Sequence, residues 1–180
     1  KLTYGGGFLH RVETTDSNQG GDDQITTGDG ADLVFGGMGS DTITTHGGND
    51  IVLGDNGFVD YVISDNDPSD IDIISTAAPL DGGNDMIPAG AGNDIVLAGT
   101  GSDTVSGGDG NDLIFGDHGE LTGNIDAALL PLNLPVANHP FSFRSIHTQN
   151  SQGGGDDILA GNDGDDRLEE IPPPLAARNL

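Results

Sequence analysis

GGMGSDTIT, residues 36–44, sets three glycines, one aspartate and one isoleucine into nine positions, and the phrase recurs along the chain. In the same frame stand NQGGDDQIT (18–26), TGDGADLVF (27–35) and THGGNDIVL (45–53). The frame returns over 80–115 as LDGGNDMIP, AGAGNDIVL, AGTGSDTVS and GGDGNDLIF, and over 152–169 as QGGGDDILA and GNDGDDRLE. Each of these ten units has glycine fourth, aspartate sixth and an aliphatic residue eighth. A fixed short period predicts a solenoid, because one unit can bury its single apolar residue only by stacking on its neighbours. In the first two arrays the eighth positions are Ile25, Val34, Ile43 and Val52, then Ile87, Val96, Val105 and Ile114. Random polar sequence would not place them so regularly, which separates the chain from a permanently disordered polymer of the same Gly- and Asp-rich composition.

Composition explains what the repeats must overcome. Of 180 residues only 33% are hydrophobic and 4% aromatic, so no large globular core is expected. With 30 acidic residues against 5 basic ones, the formal charge of −25 opposes compaction unless cations neutralise it. Nucleic acid and anionic membranes are poor partners for such a surface. Cysteine is absent, which removes disulfides and thiolate metal sites. No stretch is apolar enough to span a bilayer, and no signal peptide is visible at the start.

Within a unit, a triplet such as QIT or TIT suits a very short strand whose central side chain points inward. The six residues before it make the turn, where glycines let backbone carbonyls converge and the aspartate adds an anionic oxygen. Carbonyls plus carboxylates, with no sulfur or imidazole, select a hard cation of flexible geometry, and calcium fits better than magnesium. GGMGSDTIT and GGDGNDLIF resemble the RTX nonapeptide, glycine-glycine-x-glycine-x-aspartate-x-aliphatic-x. The resemblance covers ten units, about half the chain. It implies an all-β fold, a right-handed parallel β-roll in which two successive units make one turn and calcium sits between loops two units apart. By position, it pairs Asp23 with Asp41, Asp32 with Asp50, Asp85 with Asp103 and Asp94 with Asp112. Asp157 and Asp166 take the same place in the third array but need partners outside it. GDNG and GDHG, at 54–57 and 116–119, are read as terminators, with Asp55 and Asp117 as lesser ligands.

The organisation that follows is a partial insert strand (1–17), array 1 (18–57), a β-hairpin insert (58–79), array 2 (80–119), a second insert (120–151), array 3 (152–170) and a tail (171–180). In the first insert Val59, Tyr61 and Ile63 are expected on one strand and Ile71 and Ile73 on the other, around a DNDPSD turn. The residues flanking each inward aliphatic alternate between polar, as in Thr42 and Thr44, and apolar: Leu33 and Phe35, Ile51 and Leu53, Ile95 and Leu97, Leu113 and Phe115. If alternate units build opposite sheets, one outer face is an apolar stripe that must be covered. Inserts tethered beside their own sheet have the entropic advantage; self-association through the stripe, or end to end, is the alternative.

No enzyme is expected. DNDPSDIDIIST (65–76) lacks the glycine and glutamate of an EF-hand loop, the five histidines lack zinc spacing, and Ser40 and Ser102 stand at variable loop positions. The resemblance implies an extracellular bacterial segment, exported unfolded by type I secretion and set by calcium outside the cell. The leading expectation is a calcium-rigidified spacer of a large adhesin or matrix protein. The alternatives are the secretion and folding module of an RTX enzyme or toxin, and a surface- or ice-binding roll using Thr26, Thr42 and Thr44, a row that Met86 and Pro88 interrupt.

Overall fold

The computed structural model describes residues 1–63, 71–123, 143–149 and 152–170. These residues are all-β. Ten of the strands come from the nonapeptide triplets: β3 (Gln24–Thr26), β4 (Leu33–Phe35), β5 (Thr42–Thr44), β6 (Ile51–Leu53), β9 (Met86–Ala91), β10 (Ile95–Leu97), β11 (Thr104–Asp109), β12 (Leu113–Phe115), β15 (Ile158–Asp163) and β16 (Arg167–Glu169). Successive triplets alternate between two five-stranded parallel sheets, ordered β3-β5-β9-β11-β15 and β4-β6-β10-β12-β16. Their eighth-position side chains meet between the sheets: Val34, Ile43, Val52, Ile87, Val96, Val105 and Ile114 form one buried cluster with Ala89 and Ala98. Among the described residues no helix is long and apolar enough to cross a membrane.

A third sheet is antiparallel and built outside the arrays, in the order β1-β2-β7-β8-β13-β14. Its strands are β1 (Leu2–Gly5), β2 (Phe8–Glu13), β7 (Gly57–Asp60), β8 (Ile73–Thr76), β13 (Gly119–Gly123) and β14 (Phe143–Thr148). One cross-strand row, Leu2, Val12, Val59, Ile74, Leu121 and Ile146, runs through all six strands. Val59, Ile74 and Leu121 pack with Ile51, Leu53, Ile95, Leu97, Leu113 and Phe115, while Leu33, Phe35, Tyr61 and Ile146 border the cluster. The apolar stripe is therefore covered by the chain itself. Of the residues expected to offer a self-association face, Ile51, Leu53, Ile95, Leu97, Leu113 and Phe115 are buried under this sheet, and Leu33 and Phe35 are half-buried at its edge.

The two kinds of sheet advance in step. Four nonapeptides give two strands to each parallel sheet and one hairpin gives two to the antiparallel sheet, so both move about 9.6 Å at the usual strand spacing. Residues 1–17 hold a hairpin of two strands, β1 and β2, rather than the single strand expected. In the first insert Val59 opposes Ile74, not Ile73, and Ile63 is exposed. Ile63 leaves the strand because Asp60 Oδ1 accepts from Val62 N at 3.0 Å and Ile63 N at 2.9 Å, turning the chain before the alternation can continue. The DNDPSD turn, residues 124–142 of the second insert and the tail lie outside the described residues.

Candidate metal centres

The fourth-position glycine sets how closely the turns stack. Gly48 has φ of 143° and Gly110 of 132°, and a Cβ there would lie 2.1 Å from Gly30 O and 1.8 Å from Gly92 O. Only glycine combines that backbone with that approach. Each sixth-position aspartate then comes to rest against the main chain of the preceding coil.

Two ladders result. In the first, Asp23 N donates to Asp41 Oδ1 at 2.7 Å, Asp41 N to Asp85 Oδ1 at 2.8 Å, Asp85 N to Asp103 Oδ1 at 2.8 Å and Asp103 N to Asp157 Oδ1 at 2.8 Å. In the second, Asp32 N donates to Asp50 Oδ1 at 2.8 Å, Asp50 N to Asp94 Oδ1 at 2.9 Å, Asp94 N to Asp112 Oδ1 at 2.9 Å and Asp112 N to Asp166 Oδ1 at 2.9 Å. The inserts do not break either one. The structure brings together the four pairs expected from the resemblance and supplies Asp103 and Asp112 as the outside partners of Asp157 and Asp166.

The other carboxylate oxygen carries the chemistry. Oδ2 of Asp41, Asp85, Asp94, Asp103, Asp112 and Asp157 is buried with no hydrogen-bond partner. An anionic oxygen left so is costly unless a cation or a proton meets it. Burial, the leading cause throughout, pushes the carboxyl of Asp103 up to about 8, those of Asp85 and Asp94 to about 7 and that of Asp112 to about 6. Asp41, Asp50 and Asp157 are raised for the same reason. Neighbouring carboxylates add to the rise, and the amide donors pull against it. Asp23 is exposed and Asp32 half-buried, at the open end of the stack.

Around these oxygens lie main-chain carbonyls. A Cβ on Gly36 would sit 2.4 Å from Asp41 Oδ2 and 2.1 Å from Gly54 O; one on Gly54 would sit 2.3 Å from Asp85 Oδ2 and 2.5 Å from Ala98 O. Among the described residues no three carboxylates or imidazoles gather at one point, so any cation here takes most of its ligands from carbonyls. That donor set fits calcium and disfavours zinc or copper.

Two features escaped the sequence. The fifth position, read as variable, builds its own ladder in the opposite direction. Ser40 N donates to Asp22 Oδ1 at 2.9 Å, Ser102 N to Asn84 Oδ1 at 2.8 Å, Asn93 N to Asn49 Oδ1 at 2.8 Å and Asn111 N to Asn93 Oδ1 at 2.8 Å. The signal was present in the restriction of that position to Asp, Asn and Ser, with Ala31 excepted. Asp55 and Asp117 are also far more buried than terminators need to be, at 1% and 2% exposure. Burial, then the charges of Asp85 and Asp103, drive the Asp55 carboxyl up to about 9 against its amide donors.

The family model of the RTX calcium-binding nonapeptide repeat matches the chain in four copies, over residues 19–43, 26–58, 88–120 and 152–169, just over half its length. The chain belongs to this family. No match is found among curated proteins or solved structures. The matched RTX repeats contain nine of the ten sixth-position aspartates, Asp85 falling just before the third copy. Calcium, when bound to such repeats, supplies the positive charge that the orphaned Oδ2 atoms lack.

Proposed function

We propose that this RTX chain is a calcium-folded, non-catalytic spacer segment of a large extracellular bacterial protein of adhesin or matrix type. In this reading the two parallel sheets are opposite walls of a β-roll, and the antiparallel sheet is its built-in cover. The observation that carries it is the pair of unbroken aspartate ladders with buried, unpartnered Oδ2 atoms. A site with a dissociation constant of ~0.1 mM gains ~1.4 kcal/mol at ~1 mM calcium. Six to ten such sites together give on the order of 10 kcal/mol, the stability of an ordinary domain. At ~0.1 μM calcium the same sites are empty and the acidic loops repel, so the chain stays export-competent inside the cell and sets outside it.

Native mass spectrometry at ~1 mM calcium, with magnesium as the control, tests this. Several calcium ions per chain and none of comparable affinity from magnesium is the expected load. A chain that takes up no calcium overturns the reading.

A further inference from the structure

Each of the first two arrays hands over to its insert at a GDxG turn whose second residue is aspartate, where GGMGSDTIT has glycine. Asp55 Oδ1 accepts from Gly83 N at 3.1 Å, and its Oδ2 accepts from Thr100 N. Those amides belong to the first and third units of the next array. A Cβ on Gly82 would lie 2.2 Å from the Asp55 carboxylate and one on Gly99 2.6 Å, so both glycines admit the side chain closely. Asp117 approaches the third array as closely, a Cβ on Gly154 lying 1.9 Å from its Oδ1, and Gly154 holds the same third place in its unit as Gly82. The neighbouring Asn56 Nδ2 donates to Ser17 O at 3.2 Å and Asp81 O at 2.7 Å, tying the end of one hairpin to the re-entry of the chain.

Between the first two arrays the β5–β9 pairing is interrupted, with Met86 N donating to Asp41 O at 2.8 Å before the gap and Ala91 N to His46 O at 2.7 Å after it. Only Thr42 and Met86 are in register between β5 and β9, whereas β9 and β11 are in register from Met86 with Thr104 to Ala91 with Asp109. Pro88 has no N–H to give to β5, and Thr45 N reaches Pro88 O only at 3.4 Å. A side chain bound to two turns of the next array adds a tie between the arrays beside that interrupted pairing.

The geometry points to Asp55 as a positioning residue that joins the first two arrays into one cooperative calcium-folding unit across their insert. The role rests on the calcium-folding reading but is separable from it. The aspartate need not bind metal; it fixes where the next array's turns sit, and so whether the ladder across the insert is aligned for calcium before that array has folded alone.

The test follows hydrogen exchange of segments 24–53 and 86–115 in the full chain against free calcium. In the wild type both segments become protected at the same calcium concentration. Asp55→Ala leaves two amides without their acceptor, and the segments part by about tenfold in calcium, the loss expected for about 1.4 kcal/mol of coupling. Asn93→Ala, which removes a ladder bond inside array 2, raises the calcium requirement of both segments together. Coincident protection in Asp55→Ala overturns the inference. Should Asp55→Ala fail to fold at any calcium, Asp55→Asn, which keeps one acceptor oxygen, is judged by the same separation. Wild-type segments indifferent to calcium would instead remove the functional reading beneath it.

Discussion

Replacing Asp103 by Asn should change stability in opposite directions with and without calcium. Asp103 is 1% exposed, its Oδ1 holds Asp85 N at 2.8 Å and its Oδ2 has no partner. Burial pushes its carboxyl up to about 8, so at pH 7 the metal-free folded chain must carry it protonated, whereas the unfolded chain leaves it ionised. Between an unfolded value near 4 and pH 7, that proton uptake costs about 4 kcal/mol. The asparagine oxygen still accepts from Asp85 N and needs no proton, though its buried NH2 takes back about 1–3 kcal/mol. Metal-free Asp103→Asn should therefore be more stable by about 1–3 kcal/mol. With calcium the variant lacks an anionic ligand, and one emptied site at tenfold saturation removes ~1.4 kcal/mol. Thermal unfolding followed by far-UV circular dichroism reads both arms, in ~1 mM calcium and in chelator with an osmolyte to bring the metal-free transition into range. Equal destabilisation in both arms would refute the assignment of Asp103 Oδ2 as a cation ligand.

The same physics sets a pH dependence. Because Asp85, Asp94, Asp103 and Asp112 have folded values raised to between about 6 and about 8, metal-free stability is greatest below the unfolded value near 4 and is lost as pH rises from there through the folded values. Strand signal in chelator should grow from pH 8 to pH 5, while acid should weaken calcium binding; metal-free melting on acidification would contradict this. Gly110→Ala, whose Cβ would meet Gly92 O at 1.8 Å, should cost about 2–4 kcal/mol in calcium by denaturant titration, and a cost below about 1 kcal/mol would mean the turn can relax. Phe115→Ala empties a fully buried position under the antiparallel sheet and should cost about 3–5 kcal/mol, with dye binding to the uncovered stripe. An unchanged melting temperature would mean that the cover does not depend on that contact.

Much of this fold was legible because the nonapeptide states its own periodicity. Glycine at the fourth place, aspartate at the sixth and an aliphatic residue at the eighth fix turn, ladder and interior, and Leu33, Phe35, Ile51 and Leu53 announce a face that needs covering. What the sequence concealed lies in long-range hydrogen bonding. Nothing local says that Asp55 reaches Thr100, or that Asp41 pairs with Asp85 across an insert as readily as Asp23 pairs with Asp41 inside an array. The exposure of Ile63 was missed because a single side chain, Asp60, ends strand alternation by accepting from Val62 N and Ile63 N. Fifth-position side chains looked interchangeable because Asp, Asn and Ser differ in charge and size yet share one short acceptor oxygen.

Calcium titration of the chelated chain, followed by far-UV circular dichroism with magnesium as control, tests the central claim most directly. A cooperative gain of strand signal with calcium, absent with magnesium, is the predicted result. Full strand signal in chelator at neutral pH, unchanged by calcium, would show that packing alone holds the fold and would contradict the account.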